Sequence, residues 1–165
     1  MTTSNTPSST QRAEQVVVSL MSALRERKDP AYFRLKRGST ILDALLEPAF
    51  HQVRAELHRR GLFATESLLA VALLLVARVD NAAGTKTLPR ALSDAGYSPE
   101  RFSTLLRCDE PEELFTQLQR ALAFCKGKVS PFSLARTALS WTENQLPQTR
   151  PRLISEFYSF SQELA

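Results

Sequence analysis

Apolar residues recur about every 3.6 positions along most of this chain, which is the spacing of one face of an α-helix. No stretch alternates apolar and polar residues as a half-buried β-strand does, so the pattern predicts an all-α fold. The run from Leu68 to Val79 is apolar on every face and predicts a central helix that the other helices cover. The clearest helical stripes fall at Val16, Val17, Leu20, Met21 and Leu24, at Phe50, Val53 and Leu57, at Leu114, Leu118, Leu122 and Cys125, at Leu134, Ala138 and Trp141, and at Ile154, Phe157 and Tyr158.

Proline and glycine mark the ends of these helices. Proline suits the first turn of a helix because its φ angle is fixed and its missing N–H is not needed there. The predicted starts are Asp29-Pro30, Glu47-Pro48, Ser98-Pro99, Glu110-Pro111 and Ser130-Pro131. Glycine in a left-handed conformation often ends a helix, and the predicted ends are Gly38, Gly61, Gly96 and Gly127.

The spacing of these starts and ends predicts a compact bundle of about nine short helices. Residues 1–10 are polar and predict a disordered tail, while residues 11–165 are predicted to form a single all-α domain. Residues 80–86 are the candidate connection between two helical halves of that domain.

Composition limits the class of protein. The chain has 165 residues, 43% of them hydrophobic, which is enough for one sizeable core. Its longest apolar run, from Leu68 to Ala77, is shorter than the roughly 18 residues of a membrane-spanning helix, and the first ten residues do not resemble an export signal. We therefore expect a cytoplasmic protein with no membrane partner, in which Cys108 and Cys125 are reduced and mostly buried.

Candidate catalytic and metal-binding residues are few. His51 and His58 lie seven positions apart on one predicted helix, with Glu47 one turn earlier, so the three side chains span too many turns to converge on one ion. Lys126-Gly127-Lys128 has neither the glycine spacing nor the hydroxyl of a phosphate-binding loop. We expect solvated or capping histidines, no metal, no cofactor and no enzymatic activity.

Basic residues are concentrated in one part of the chain. The net charge is +4, and the segment from Arg25 to Arg60 alone contains nine Lys or Arg against five Asp or Glu. Within it, Arg34, Lys36 and Arg37 lie in one turn before Gly38, where the end of a helix stabilises cations with or without a ligand. Arginine outnumbers lysine by 16 to 5, which favours bidentate contacts to phosphate. Few aromatic residues lie among these arginines, so we expect contact with the nucleic-acid backbone rather than base stacking.

Several short motifs follow one another along the chain. They are LKRG at 35–38, the apolar helix at 68–79, LPRAL at 88–92, ERF and LLR within 100–107, EL and LQR within 113–120, LAR at 134–136, Trp141, and EFY at 156–158. Their order resembles the CasB family, the small subunit of the type I-E CRISPR Cascade complex. The resemblance covers about Leu35 to Tyr158.

This resemblance implies a wholly helical, non-enzymatic protein that assembles as two copies with other Cascade subunits in antiviral defence. It implies contact with the guide RNA–target DNA hybrid and with the displaced DNA strand, without reading of sequence. The candidate nucleic-acid-binding residues are Lys36, Arg37, Arg90, Arg101, Arg107, Arg120 and Arg136 from the motifs, with Arg34 from the same basic turn.

A helix-turn-helix transcriptional regulator is the main alternative. The residues from Ala91 to Arg107 have the apolar, glycine-turn and apolar spacing of that motif, and a dimer would place Arg101 and Arg107 near a DNA major groove. Against it, the second helix offers no Asn or Gln to read adenine, and the strongest basic cluster lies elsewhere. A helical adaptor for an acidic protein partner also stays open.

Overall fold

The computed structural model describes residues 9–79 and 86–163. These residues form ten α-helices and no β-strand, and nine of the helices contain seven or more residues, so the predicted all-α bundle is confirmed. The helices are α1 (Ser9–Glu26), α2 (Pro30–Arg37), α3 (Ile41–Leu45), α4 (Pro48–Arg59), α5 (Glu66–Val76), α6 (Leu88–Asp94), α7 (Pro99–Leu106), α8 (Pro111–Phe124), α9 (Pro131–Leu139) and α10 (Leu146–Glu163). The tail and the connection predicted from the sequence lie outside the described residues, apart from the first two residues of α1 and Lys86.

Proline begins five of the helices at the predicted positions, namely α2, α4, α7, α8 and α9. The side chains of Asp29, Ser98 and Ser130 each accept a hydrogen bond from a backbone N–H of the first turn that follows. Those of Glu47 and Glu110 make no such bond. The sequence therefore located these starts through proline, with side-chain capping added at three of the five.

Three of the four predicted glycine ends adopt the left-handed conformation: Gly61 has φ 69°, Gly96 φ 81° and Gly127 φ 70°. The prediction for Gly38 is wrong, because its φ is −61°. A Cβ at Gly38 would come within 2.8 Å of Leu74 Cδ2. Glycine is required at this position by the close approach of α5 and not by the backbone angle.

Helix α5 is the central helix, as the sequence predicted. Every residue from Leu68 to Ala77 is at most 6% exposed. Helices α3, α8 and α9 pack against α5, and α6 packs against α10. One cluster of buried apolar side chains includes residues from all ten helices, on both sides of the segment at residues 80–85.

The apolar stripe predicted for the last helix is partly wrong. Ile154 and Tyr158 are 40% and 45% exposed, while the buried face of α10 contains Thr149, Leu153 and Phe157 at a spacing of four residues. Phe157 belongs to both faces in the sequence pattern, so the pattern alone left the rotation of the helix open. Its ring stacks on that of Phe102 in α7, with the centroids 4.2 Å apart, and this contact fixes the buried side.

Candidate nucleic-acid interface

The eight candidate basic residues lie at the protein surface. Seven are exposed, and Arg136 is partly buried. They lie on α2, α6, α7, α8 and α9 or directly after these helices. The fold brings six of them into three separate groups, two of which contain residues that sequence reasoning did not single out.

The first group is the α2 turn, which we define as Arg34, Lys36 and Arg37 in the last turn of α2. Arg34 Nε donates a hydrogen bond to Glu47 Oε1 at 2.6 Å, and this bond raises the pKa of the Arg34 guanidinium. No described carboxylate lies within 4.0 Å of Lys36 or Arg37, and both side chains are exposed. Two of the three cations are therefore available to an anion in solution.

Arg78 holds this turn in place from inside the protein. Its guanidinium donates hydrogen bonds to the carbonyl oxygens of Leu74 at 2.6 Å, of Leu35 at 3.3 Å, and of Gly38. It also lies over the Phe115 ring, 5.4 Å from the centroid. Carbonyl groups at the end of a helix lack donors within the helix, and Arg78 supplies N–H donors for those near the ends of α2 and α5. This role was not predicted from the sequence, although a single cation at the end of an apolar run was the available signal.

Most other cations of the segment from Arg25 to Arg60 form ion pairs with carboxylates. Arg27 lies 4.0 Å from Asp29, Arg54 lies 2.5 Å from Glu66, and Arg59 and Arg60 both pair with Glu56. The excess charge that the sequence assigned to the whole segment is therefore more concentrated in the α2 turn than the composition indicates.

The second group is the Tyr97 surface, which we define as Tyr97, Arg101, Arg120 and Phe124. The Arg101 guanidinium lies over the Phe124 ring, 5.6 Å from its centroid, and the Phe124 ring meets that of Tyr97 edge to face at 5.1 Å. Burial raises the pKa of the Tyr97 hydroxyl, while the charges of Arg101 and Arg120 lower it, so both guanidiniums lie near that group. Phe124 is 37% exposed, which places an aromatic face beside the arginines of α7 and α8.

The third group is the Glu14 cavity, a space of about 210 Å³ bounded by side chains of α1, α9 and α10. Its polar lining includes Glu14, Ser130, Ser133, Arg136, Arg152 and Glu156. Among these, only Arg136 was a candidate from the sequence. Arg152 and Glu14 were missed, although Glu14 falls on the apolar stripe of α1, three positions before Val17 and seven before Met21.

Burial dominates the electrostatics of the Glu14 cavity. It raises the pKa of Glu14 from 4.5 to about 7, against the opposing charges of Arg136 and Arg152. It also lowers the pKa of Arg152, and the nearby charge of Arg136 lowers it further. Glu14 Oε2 and Arg152 Nε are buried and have no hydrogen-bond partner among the described residues.

The two remaining candidates have different surroundings. Arg90 Nε lies 3.8 Å from Asp94 Oδ2, which is also 2.7 Å from Lys86 Nζ. Arg107 follows α7 and is exposed. Directly after it, the carbonyl oxygen of Cys108 accepts hydrogen bonds from Trp141 Nε1 and Arg150, which fixes the end of α7.

The histidines are used structurally. His51 Nε2 donates to the carbonyl oxygen of Leu45 at the end of α3, so the capping interpretation is confirmed for this residue. His58 is exposed, and its ring meets that of Phe63 edge to face. Within residues 9–79 and 86–163, no group of three or more His, Cys, Asp or Glu side chains could hold a metal ion.

Cys108 and Cys125 are both free and buried, as the sequence predicted. Burial raises the pKa of each thiol to about 11, which opposes formation of the reactive thiolate. Among the described helices, none is long and apolar enough to cross a membrane.

The family model for CRISPR-associated protein Cse2 matches residues 6–158, which is most of the chain. This match confirms the family resemblance of the motifs between Leu35 and Tyr158. No curated protein and no solved structure matches the chain. Helices α6 and α7 do form the two short helices of the alternative pattern, but the family match extends far beyond Ala91 to Arg107.

Proposed function

Because this chain belongs to the CRISPR-associated Cse2 family, also called CasB, we propose that it is the non-catalytic small subunit of an RNA-guided Cascade complex. In this role it assembles with other Cascade subunits and with a second copy of itself in antiviral defence. The family match over residues 6–158 is the observation that carries the proposal. Its contribution is to bind nucleic-acid backbone and so stabilise the guide RNA–target DNA hybrid and the displaced DNA strand.

The α2 turn is the strongest candidate contact with duplex backbone. Lys36 and Arg37 are exposed and extend from a backbone that Arg78 holds, so an arriving phosphate meets two cations whose attachment points are fixed. Arg34 is expected to contribute less, because a phosphate would have to compete with Glu47 for its guanidinium.

The Tyr97 surface is suited to the displaced single strand. Binding of single-stranded nucleic acid combines backbone contacts to cations with stacking of bases on aromatic rings. Arg101 and Arg120 supply the cations, and Phe124, which is 37% exposed although Arg101 lies over its ring, supplies an aromatic side chain. This surface therefore adds some base stacking to the backbone contact expected from the sequence. Stacking of this kind tolerates any base, which agrees with a subunit that does not read sequence.

The decisive experiment compares two double variants in the assembled complex. Lys36→Ala with Arg37→Ala is expected to weaken target binding and to flatten the slope of log affinity against log salt by about 0.9 for each duplex phosphate that the variant no longer neutralises. The matched control, Arg59→Ala with Arg60→Ala, removes the same charge from residues that are paired with Glu56. We expect the control to change the slope much less. Equal effects of the two variants, or wild-type binding by both, would contradict the assignment to the α2 turn.

Sequence preference separates this proposal from the helix-turn-helix alternative. The isolated protein is expected to bind scrambled and palindromic duplexes with similar, weak affinity, because phosphate contacts carry no sequence information. A preference of roughly a thousandfold or more for one duplex is typical of a specific regulator and would reject the proposed role as a subunit that does not read sequence.

A further inference from the structure

The Glu14 cavity places a mostly buried acidic side chain near two arginines. Glu14 is only 9% exposed, and one of its carboxylate oxygens has no partner among the described residues. A buried carboxylate without a partner is costly in its ionised form, so the neutral acid is favoured. The cavity thus contains a group that changes charge near neutral pH.

The two arginines lie close enough to affect each other. Arg136 from α9 lowers the pKa of Arg152 from α10, which means that the two positive charges repel. Arg152 Nε is a buried donor with no partner among the described residues. An anion between the guanidiniums would relieve the repulsion and accept from that donor.

The size and the remaining lining agree with a small polar group. At about 210 Å³ the cavity is smaller than the roughly 300 Å³ at which drug-sized ligand sites begin. Ser130, which caps α9, and Ser133 in its first turn also line it. The start of α9 therefore adds hydroxyl groups and the positive end of a helix dipole.

We propose that the Glu14 cavity binds one phosphate group of a nucleic-acid backbone between Arg136 and Arg152, and that Glu14 takes up a proton from solvent as the phosphate enters. The inference rests on the proposed function, because it takes nucleic acid as the source of the phosphate. With Glu14 neutral, the carboxyl group becomes a donor to a phosphate oxygen and no longer repels it.

Proton uptake makes this contact dependent on pH. The groups that act on the charge of Glu14 are Arg136 and Arg152, while Glu156 acts on Arg152. Helices α2, α4 and α5 also pack on α1, and their buried positions carry no charged side chain. Binding should therefore tighten as pH falls from 8 to 6, by at most a factor of about ten per pH unit for one proton.

The test uses the full chain, a single-stranded oligothymidine as probe, and calorimetry in buffers of different ionisation enthalpy. Wild-type protein is expected to take up part of a proton on binding at pH 7.5 and to bind several-fold more tightly at pH 6 than at pH 8. Glu14→Gln, a neutral analogue of the protonated acid, should keep the tight binding at both pH values and take up no proton. Arg152→Gln should lose affinity about tenfold and lose the pH dependence.

Each other outcome is decisive. Unchanged proton uptake in Glu14→Gln overturns the inference. Wild-type affinity that rises with pH overturns it as well. If Arg152→Gln unfolds, Arg136→Lys, which keeps the charge but not the bidentate geometry, must still weaken binding.

Inorganic phosphate that binds the protein while both arginine variants bind oligothymidine normally would identify a free-phosphate site and overturn the inference. Normal binding by the Glu14 cavity variants and weak binding by Lys36→Ala with Arg37→Ala would overturn only this inference, whereas no binding by wild-type protein would also reject the proposed function.

Discussion

Gly38 lies against Leu74 so closely that a Cβ on Gly38 would come within 2.8 Å of Leu74 Cδ2. Leu74 is fully buried in α5, where neighbouring side chains restrict its movement. The end of the α2 turn therefore packs directly on the central helix, and the position of its cations depends on the core.

Replacement of Gly38 by alanine is expected to destabilise the protein by about 1–3 kcal/mol, the usual cost of overpacking a core. Gly61 provides the comparison, since it has φ 69° and no atom within 4 Å of an added Cβ. Asparagine tolerates a left-handed backbone, so Gly61→Asn should be nearly neutral while Gly38→Asn should cost at least as much as Gly38→Ala. Urea unfolding of these variants beside the wild type measures this, and equal costs at the two positions would contradict the explanation.

Replacement of Arg78 by methionine should keep the packing on Phe115 but leave the carbonyl oxygens of Leu74 and Gly38 without the donor that Arg78 supplies. Buried acceptors without partners cost about 1–3 kcal/mol in unfolding experiments. Nucleic-acid binding should also weaken, although Arg78 itself is partly buried, because Lys36 and Arg37 would lose their fixed backbone.

Arg107→Ala is the control for stability. It removes an exposed arginine and should change the free energy of unfolding by less than about 0.5 kcal/mol. Wild-type stability of Arg78→Met would refute the anchoring role.

Replacement of Glu14 by glutamine should stabilise the protein at high pH but not at low pH. The pKa of Glu14 is raised from 4.5 in the unfolded chain to about 7 in the fold, so the folded state binds the proton more tightly. The stability that this gives is complete below about pH 4.5 and is lost as pH rises through 7. The advantage of Glu14→Gln should therefore grow between pH 5 and pH 8, to at most about 3 kcal/mol. Urea unfolding at the two pH values checks this, and a difference that is independent of pH would show that Glu14 does not titrate in this range.

Both cysteines should resist modification in the folded protein. With each thiol pKa raised to about 11, only about one thiol in a thousand is ionised at pH 8, and the side chains are buried as well. A thiol reagent such as dithionitrobenzoate should react slowly with native protein and rapidly after unfolding in guanidinium chloride. Rapid reaction of either cysteine in the native state would mean that its surroundings open readily.

The helices could be predicted because their signals are local. Proline at five helix starts and the apolar run of α5 act through neighbouring residues, and the structure agrees with both. The rotation of α10 could not be predicted in this way, since Phe157 fits two apolar stripes and its contact with Phe102 is distant in sequence. Gly38 likewise has the sequence setting of a left-handed glycine, and only the packing of α2 on α5 explains it.

The candidate site was predictable in part for the same reason. Exposed arginines can be read from helical spacing, and Arg101 and Arg120 do share a surface. Arg78 and Arg152 were missed because their importance comes from burial and from partners on other helices. The local sequence also does not predict that Glu14 lines the same cavity as Arg136 and Arg152, because α1, α9 and α10 meet only in the fold.

The ion pairs of Arg54, Arg59 and Arg60 have a consequence for how a polyanion docks on this protein. A continuous band of free cations would hold a nucleic acid equally well in many registers, and the strand could slide. Where arginines of the basic segment are paired with carboxylates, the attractive field is stronger at the cations that have no such pair among the described residues, and Lys36 and Arg37 are two of these. A strand that reaches the α2 turn is therefore expected to have a preferred alignment, set by a few local cations rather than by the total charge of the protein.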